Sequence, residues 1–223
     1  MLQGQQPAGR MQEDLYRPAE DLTGDPGCMD EKTEKIHEYV RSVLGQAGSH
    51  GLDHVERVTR LCEMIGAREH ADMEILLPAA LLHDIARPVE EERGTPHESE
   101  GARIAERFLR SIGYREDLIP PITHAIRTHR YRSKETPGTP EARILADADK
   151  LDAMGAVGIG RTFMRVGEQG GTVSDAVEHF HDKLLKLHDL MQTETARDIA
   201  RERHTFLTGF LATLEREMAL TTR

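Results

Sequence analysis

The chain has 223 residues, 38% hydrophobic and 30% charged, with a formal net charge of −10, enough length for one domain with a sizeable core plus a tail. The acidity argues against a general nucleic-acid binder while leaving room for a local basic pocket. With no window near the roughly 18–20 apolar residues of a membrane helix, no secretory pattern in MLQGQQPAGR, and only Cys28 and Cys62 as cysteines, membrane spans, a disulfide framework and a Cys-based zinc site are all excluded, and the expected location is the cytoplasm.

Residues 1–28 are rich in Gln, Gly and Pro without apolar periodicity, which predicts a flexible tail ahead of a single domain over residues 29–223. From about residue 30 the helical rhythm is nearly continuous. Ile36, Val40, Val43 and Ala47 keep it, then Val55, Val58, Cys62 and Ile65, then Leu76, Ala79, Ala80 and His83. Thr95-Pro96-His97-Glu98 reads as a helix start with Thr95 as N-cap and Glu98 as its capping-box partner, and Thr139-Pro140 as another start. Phe180, Leu184, Leu187 and Met191 form one stripe, and Ile199, Phe206, Phe210 and Leu214 mark a last helix. No segment shows a sustained period of two, so the predicted fold class is all-α.

On such a scaffold the informative residues are the polar ones on inward stripes. His54 shares a stripe with Val58, Leu61 and Ile65. His83 continues the face of Ala79 and Ala80 with Asp84 beside it, and His97 lies with Gly101, Ala105, Phe108 and Ile112. His129 follows Ile122, Ala125 and Ile126, whereas His124 points the other way. Asp149, in LADADKLDAMG, flanks the face of Leu145, Ala148 and Leu151. Taken singly, a histidine on an apolar face is most often a neutral ring bonded to backbone. Several such groups aimed at one interior are different, because each costs about 1–3 kcal/mol if left unsatisfied. A shared divalent ion satisfies them together, and imidazole with carboxylate but no thiolate suits Mn, Mg, Fe, Ni or Co.

The order His54, His83-Asp84, Asp149, within the words DHVERV, ALLHDIARP and ILADADKLDAMGAVGIGRTF, resembles the HD superfamily of metal-dependent phosphohydrolases. The likeness runs over roughly residues 36–218, into HFHDKLLKLHDLM and TETARDIARERHTFL, and is nearest to the small stand-alone members that include nucleoside-triphosphate pyrophosphatases. It implies a single helical HD domain in which His54, His83, Asp84 and Asp149 hold a divalent ion. Asp149 is chosen over Asp147 because it precedes the Lys-Leu pair. Asp84 would also orient a water, giving it a catalytic role. His97 and His129 fall near the extra ligands of two-metal members and are read as hydrogen-bond partners or phosphate contacts. Arg87 and Lys150, beside ligands, are the catalytic cations. Arg127 and Lys183 are further phosphate contacts, and His50 would reach the mouth of the site.

Departures narrow the class. Ile85-Ala86-Arg87-Pro88 follows the His-Asp pair, where hydrolases of the stringent-response nucleotide have an acidic pair. Arg87 replaces the catalytic glutamate of one nucleotidase group, and Glu90, Glu91 and Glu92 could supply an acid from the following loop, although a charge run there is more often a solvated turn. The signature of cyclic dinucleotide phosphodiesterases is absent. The resemblance therefore implies hydrolysis of a phosphoester or phosphoanhydride, with a nucleotide as the small-molecule partner and a homodimer left open. The alternatives are a cyclic or linear dinucleotide phosphodiesterase and a non-catalytic nucleotide-sensing HD module.

Overall fold

A computed structural model of the chain describes residues 31–44, 51–131, 133 and 135–221, and every regular element among them is helical. The tail over 1–28, Ala47 and His50 lie outside the described residues. In chain order the helices are α1 (Glu31–Val43), α2 (Leu52–Arg68), α3 (Met73–Leu82), α4 (Arg87–Arg93), α5 (His97–Ser111), α6 (Ile119–Thr128), α7 (Pro140–Asp152), α8 (Gly155–Glu168), α9 (Val173–Asp182) and α10 (Glu194–Met218). A 3₁₀ helix (Leu184–Leu190) joins α9 to α10.

Helix α3 is apolar nearly all round, with Leu76, Pro78, Ala79, Ala80, Leu81 and Leu82 buried, so it takes the central place that only such a helix tolerates. Around it pack α1, α2, α6 and α7, while α5 covers α6. Helices α8, α9 and α10 with the 3₁₀ turn form a second group laid against α7. Helix α7 thus faces both groups. Its neighbours bury even Asp147, Lys150 and Asp152.

Two predicted starts fare differently. Thr139 caps α7 as expected, its hydroxyl accepting from the Ala142 N–H with Pro140 in the first turn. At α5 the cap is Pro96, with no side-chain cap bond, and the helix begins at His97. Glu98 does not close a capping box, because its carboxylate accepts from Arg130 at 3.1 Å.

The C-terminal stripes also change. Phe180, Leu184, Leu187 and Met191 are all buried, but they are not one helix. The chain breaks at Lys183 (φ −130°, ψ −59°) and tightens into the 3₁₀ turn, whose Leu184 and Leu187 are buried. In α10 the inward residues are Ala196, Ile199, Ala200, Leu207 and Leu211. Phe206, predicted inward, is 55% exposed, because it lines an open surface cavity with Met154, Gly155 and Val157 instead of packing into the core.

Candidate metal centre

Four helix ends meet on one interior point. His54 stands in the first turn of α2, His83 caps the C-terminus of α3 with Asp84 next to it, His97 opens α5, and His129 caps the C-terminus of α6. All five side chains are buried to 1% exposure or less. Asp149 reaches the same place from α7.

The Nε2 atoms converge. His54 and His83 approach to 3.4 Å, and so do His97 and His129. Asp84 lies between the two pairs. Its Oδ2 is 3.5 Å from His54 and 3.7 Å from His83, and its Oδ1 is 3.4 Å from His97 and 3.7 Å from His129. Asp149 Oδ1 adds a fourth donor at 3.4 Å from His54 Nε2.

The opposite ring nitrogens are all committed. His83 Nδ1 donates to the Ala80 carbonyl at 2.7 Å and His129 Nδ1 to the Ile126 carbonyl at 2.6 Å. Nδ1 of His54 and of His97 donate to the carboxylates of Asp152 (2.7 Å) and Glu90 (2.8 Å). With the proton held on Nδ1, the Nε2 lone pairs of His97 and His129 face one another and that of His83 faces Nε2 of His54, an arrangement that calls for a positive charge at the centre, either a metal ion or a second proton on His54. Donors bound at about 2.1 Å in a tetrahedral shell sit about 3.4 Å apart, which these spacings reproduce. The residues present therefore fit a divalent ion in the set His54, His83, Asp84, with Asp149 beside His54, and fit a second in the set Asp84, His97, His129.

Charge follows the same pattern. Burial pushes the His83 imidazolium down to about 4. It does the same to His97, against the pull of Asp84, again to about 4. At His54 burial is outweighed by hydrogen bonds to Asp149, Asp152 and Asp84, which raise it to about 10. Burial opposes ionisation of Asp152, but its bonds to His54 and Arg57 win and hold it near 2.

The expected substrate contacts divide. Arg87, Lys150 and Lys183 line a cavity of about 600 Å³ that opens beside Asp149. Arg87 Nε donates to Asp84 Oδ1 at 2.9 Å and its NH1 to Glu90 at 3.1 Å, so it also steadies the bridging carboxylate. Lys150 is turned back on its own helix, donating to the Ala146 carbonyl at 2.8 Å and lying 3.6 Å from Asp147. Its ammonium is engaged there rather than with substrate. Asp147 is no part of the cluster, accepting from the Gln192 and Thr193 amides and the Thr193 hydroxyl. Arg127 is 41% exposed, lies 3.8 Å from Glu135 and does not line the cavity. His124 accepts from the Gly138 N–H outside the cluster.

Three contributors escaped the sequence reading. Glu90 is no solvated turn residue: it lies within α4 and bonds Arg87, His97 and Arg130. Asp152, one turn beyond Asp149, binds His54, Arg57 and Arg161. Arg130, one residue past His129, bridges Glu90 and Glu98. The i+3 spacing in DKLD was a usable signal for Asp152. Nothing local marked Glu90 or Arg130.

The HD domain family model matches residues 51–154, the span from α2 to the end of α7 that carries every residue of the cluster. The chain belongs to the HD superfamily. It is 34% identical over 196 residues to the uncharacterised protein YpgQ of Bacillus subtilis (strain 168), covering 84% of this chain and 94% of YpgQ. The crystal structure of B. subtilis YpgQ in complex with ADP superposes with a TM-score of 0.70 at 33% identity, over 83% of this chain and 97% of that one. A predicted HD superfamily hydrolase from an uncultured Thermotogales bacterium gives a TM-score of 0.64 at 31% identity, over 83% of this chain and 92% of that one. The general kind that this membership supports for the chain is the metal-dependent phosphohydrolase. No helix among the described residues is long and apolar enough to cross a membrane.

Proposed function

We propose that this HD protein hydrolyses a phosphoester or phosphoanhydride bond of a nucleotide, with its divalent ion held by His54, His83, Asp84 and Asp149. The observation that carries the reading is the convergence of these donors, each orienting nitrogen anchored behind, on the edge of a cavity lined by cations. The complex of the related YpgQ with ADP supports the nucleotide.

A divalent ion in such a site lowers the pKa of bound water and polarises a phosphoryl oxygen. The chain's own groups do the rest. Asp152 and the Ala80 carbonyl hold the His54 and His83 rings at fixed angles. Arg87 holds Asp84 with one edge while lining the cavity where a phosphate oxygen would sit, so it both fixes the carboxylate and offers charge to the leaving group. Water attacks phosphorus, the bridging P–O bond breaks, and the leaving oxygen takes a proton.

In the sequence, His97 and His129 read as hydrogen-bond partners or phosphate contacts. Their Nε2 atoms point at Asp84 Oδ1, so the proposal makes them ligands of a second ion sharing Asp84. Lys150, held by Ala146 and Asp147, and Arg127, outside the cavity lining, take no part in the proposed reaction.

The test is hydrolysis of ADP, of nucleoside triphosphates and of bis(p-nitrophenyl) phosphate by protein loaded with Mn, Co, Ni or Mg. Turnover of the nucleotides that vanishes in His83→Ala together with the bound metal supports the reading. Cleavage of the diester alone would turn it toward a phosphodiesterase, and tight nucleotide binding without turnover toward a sensor.

A further inference from the structure

Six cations line the cavity beside Asp149, and four of them are neutralised: Arg87 by Asp84 and Glu90, Arg130 by Glu90 and Glu98, Arg161 by Asp152, and Lys150 by Asp147. Arg165 and Lys183 differ. Among the described residues neither has a carboxylate within ion-pair distance, and Lys183 has only the Tyr131 ring, 5.8 Å from its ammonium. His179 lines the same wall. The cavity's own carboxylates are already engaged. Asp149 faces His54 at 3.4 Å. Asp175 closes the capping box of α9 by accepting from the Thr172 N–H at 2.6 Å and its hydroxyl at 2.7 Å.

These three groups are brought together by the local chain. Arg165 is in the last turn of α8 and His179 in the last turn of α9. The break of α9 at Lys183 buries Leu184 and Leu187 of the following 3₁₀ turn and leaves the lysine on the cavity wall. They are close enough to disfavour one another's charge. Burial lowers the Lys183 ammonium despite Asp149, with Arg87, Arg165 and Arg161 adding to the effect. Burial lowers His179, with Lys183 and Arg165 adding to it. A half-buried cation without a counter-charge is costly unless an anion arrives to meet it.

We infer that Arg165, His179 and Lys183 form a subsite for a second phosphate group of the substrate, separate from the phosphoryl group held at the His/Asp cluster. The substrate class is then a phosphoanhydride, and the inference rests on the phosphohydrolase reading for what happens at the metal. A monoester or a simple diester would leave this wall unmatched, whereas a diphosphate or triphosphate spans both places.

Inorganic pyrophosphate titrated calorimetrically into EDTA-treated protein tests the subsite without turnover. One equivalent should bind, and Arg165→Ala and Lys183→Met should each weaken it by about 10-fold or more, the range for losing a charge-assisted bond. Arg165 is exposed and Lys183→Met keeps the apolar stem, so both variants should unfold thermally like the wild type. Absence of pyrophosphate binding, or binding indifferent to both substitutions in folded protein, overturns the inference. Turnover distinguishes this failure from failure of the phosphohydrolase reading. Equal losses on ADP and on p-nitrophenyl phosphate in both variants would refute the second-phosphate role while leaving hydrolysis standing. Pyrophosphate binding that depends on Arg165 and Lys183 in a protein that hydrolyses nothing would uphold the subsite and refute the reading on which its substrate rests.

Discussion

Nδ1 of His54 lies 2.7 Å from Oδ2 of Asp152, 98 residues away in the chain, and the same carboxylate binds Arg57 at 2.7 Å and Arg161 at 2.6 Å. Asp152 therefore orients a metal-binding ring and ties it to an arginine of the cavity wall. Asp152→Asn keeps the shape but weakens the acceptor. It should reduce metal affinity by about 10- to 100-fold, the usual cost of removing such an outer partner. Competition with a fluorescent chelator measures it, and unchanged affinity would reduce Asp152 to a structural ion-pair residue.

Asp147 and Asp149 are two residues apart and should fail in different ways. Asp149 faces His54 Nε2, so Asp149→Ala should lose metal while the fold persists. Asp147 holds the start of α10 through Gln192 and Thr193. Asp147→Ala would strand two amides and the partly buried Lys150, for a loss of about 2–4 kcal/mol in stability with metal retained. Metal analysis and urea unfolding on both variants separate the two roles. Metal lost from Asp147→Ala but kept in Asp149→Ala would exchange their assignments.

The helical class and the inward placement of the histidines were legible because they rest on local signals. Periodicity placed His54, His83, His97 and His129 inward, and all four are buried. What sequence could not show is which way each ring's second nitrogen is anchored, since Glu90 reaches His97 across seven residues and Asp152 reaches His54 across 98. For the same reason the second donor set, which the resemblance brings only as near as His97 and His129, could not be assembled from the sequence. It exists because Asp84 offers its two oxygens to two histidine pairs, a relation between four helix ends. Lys150 shows the limit of adjacency: its place beside Asp149 suggested a substrate contact, and it does line the cavity, but one residue turns the side chain by about 100° round the helix, toward Ala146 and Asp147.

Gly158 of α8 lies against Ala153, the residue that ends α7. A Cβ there would collide with the Ala153 carbonyl, a contact that only a backbone shift can relieve. Gly158→Ala should cost about 1–3 kcal/mol, as overpacking does, and should shift Arg161, one turn further on, away from Asp152. Thermal unfolding reads the first effect and pyrophosphate affinity the second. Wild-type stability would mean that the helix yields without strain.

Metal binding should release a proton, and the sign follows from His54. Its imidazolium is raised to about 10 by Asp149, Asp152 and Asp84 against the effect of burial, so near neutral pH the metal-free ring carries two protons and must give up the one on Nε2 to become a ligand. His83, held near 4 by burial, is already neutral and contributes none. The tightest equivalent of Mn²⁺ should therefore displace about one proton at pH 7.5, and its affinity should rise about tenfold per pH unit toward pH 10. The metal-free fold should behave in the opposite sense. A group raised above its unfolded value stabilises fully below about pH 6.5 and loses that contribution as pH climbs through about 10, so EDTA-treated protein should lose stability over that window while the metal-loaded protein does not. Calorimetry in two buffers of different ionisation enthalpy counts the proton. A count of zero would mean that His54 is neutral before the metal arrives and that the three carboxylates around it do not hold its charge.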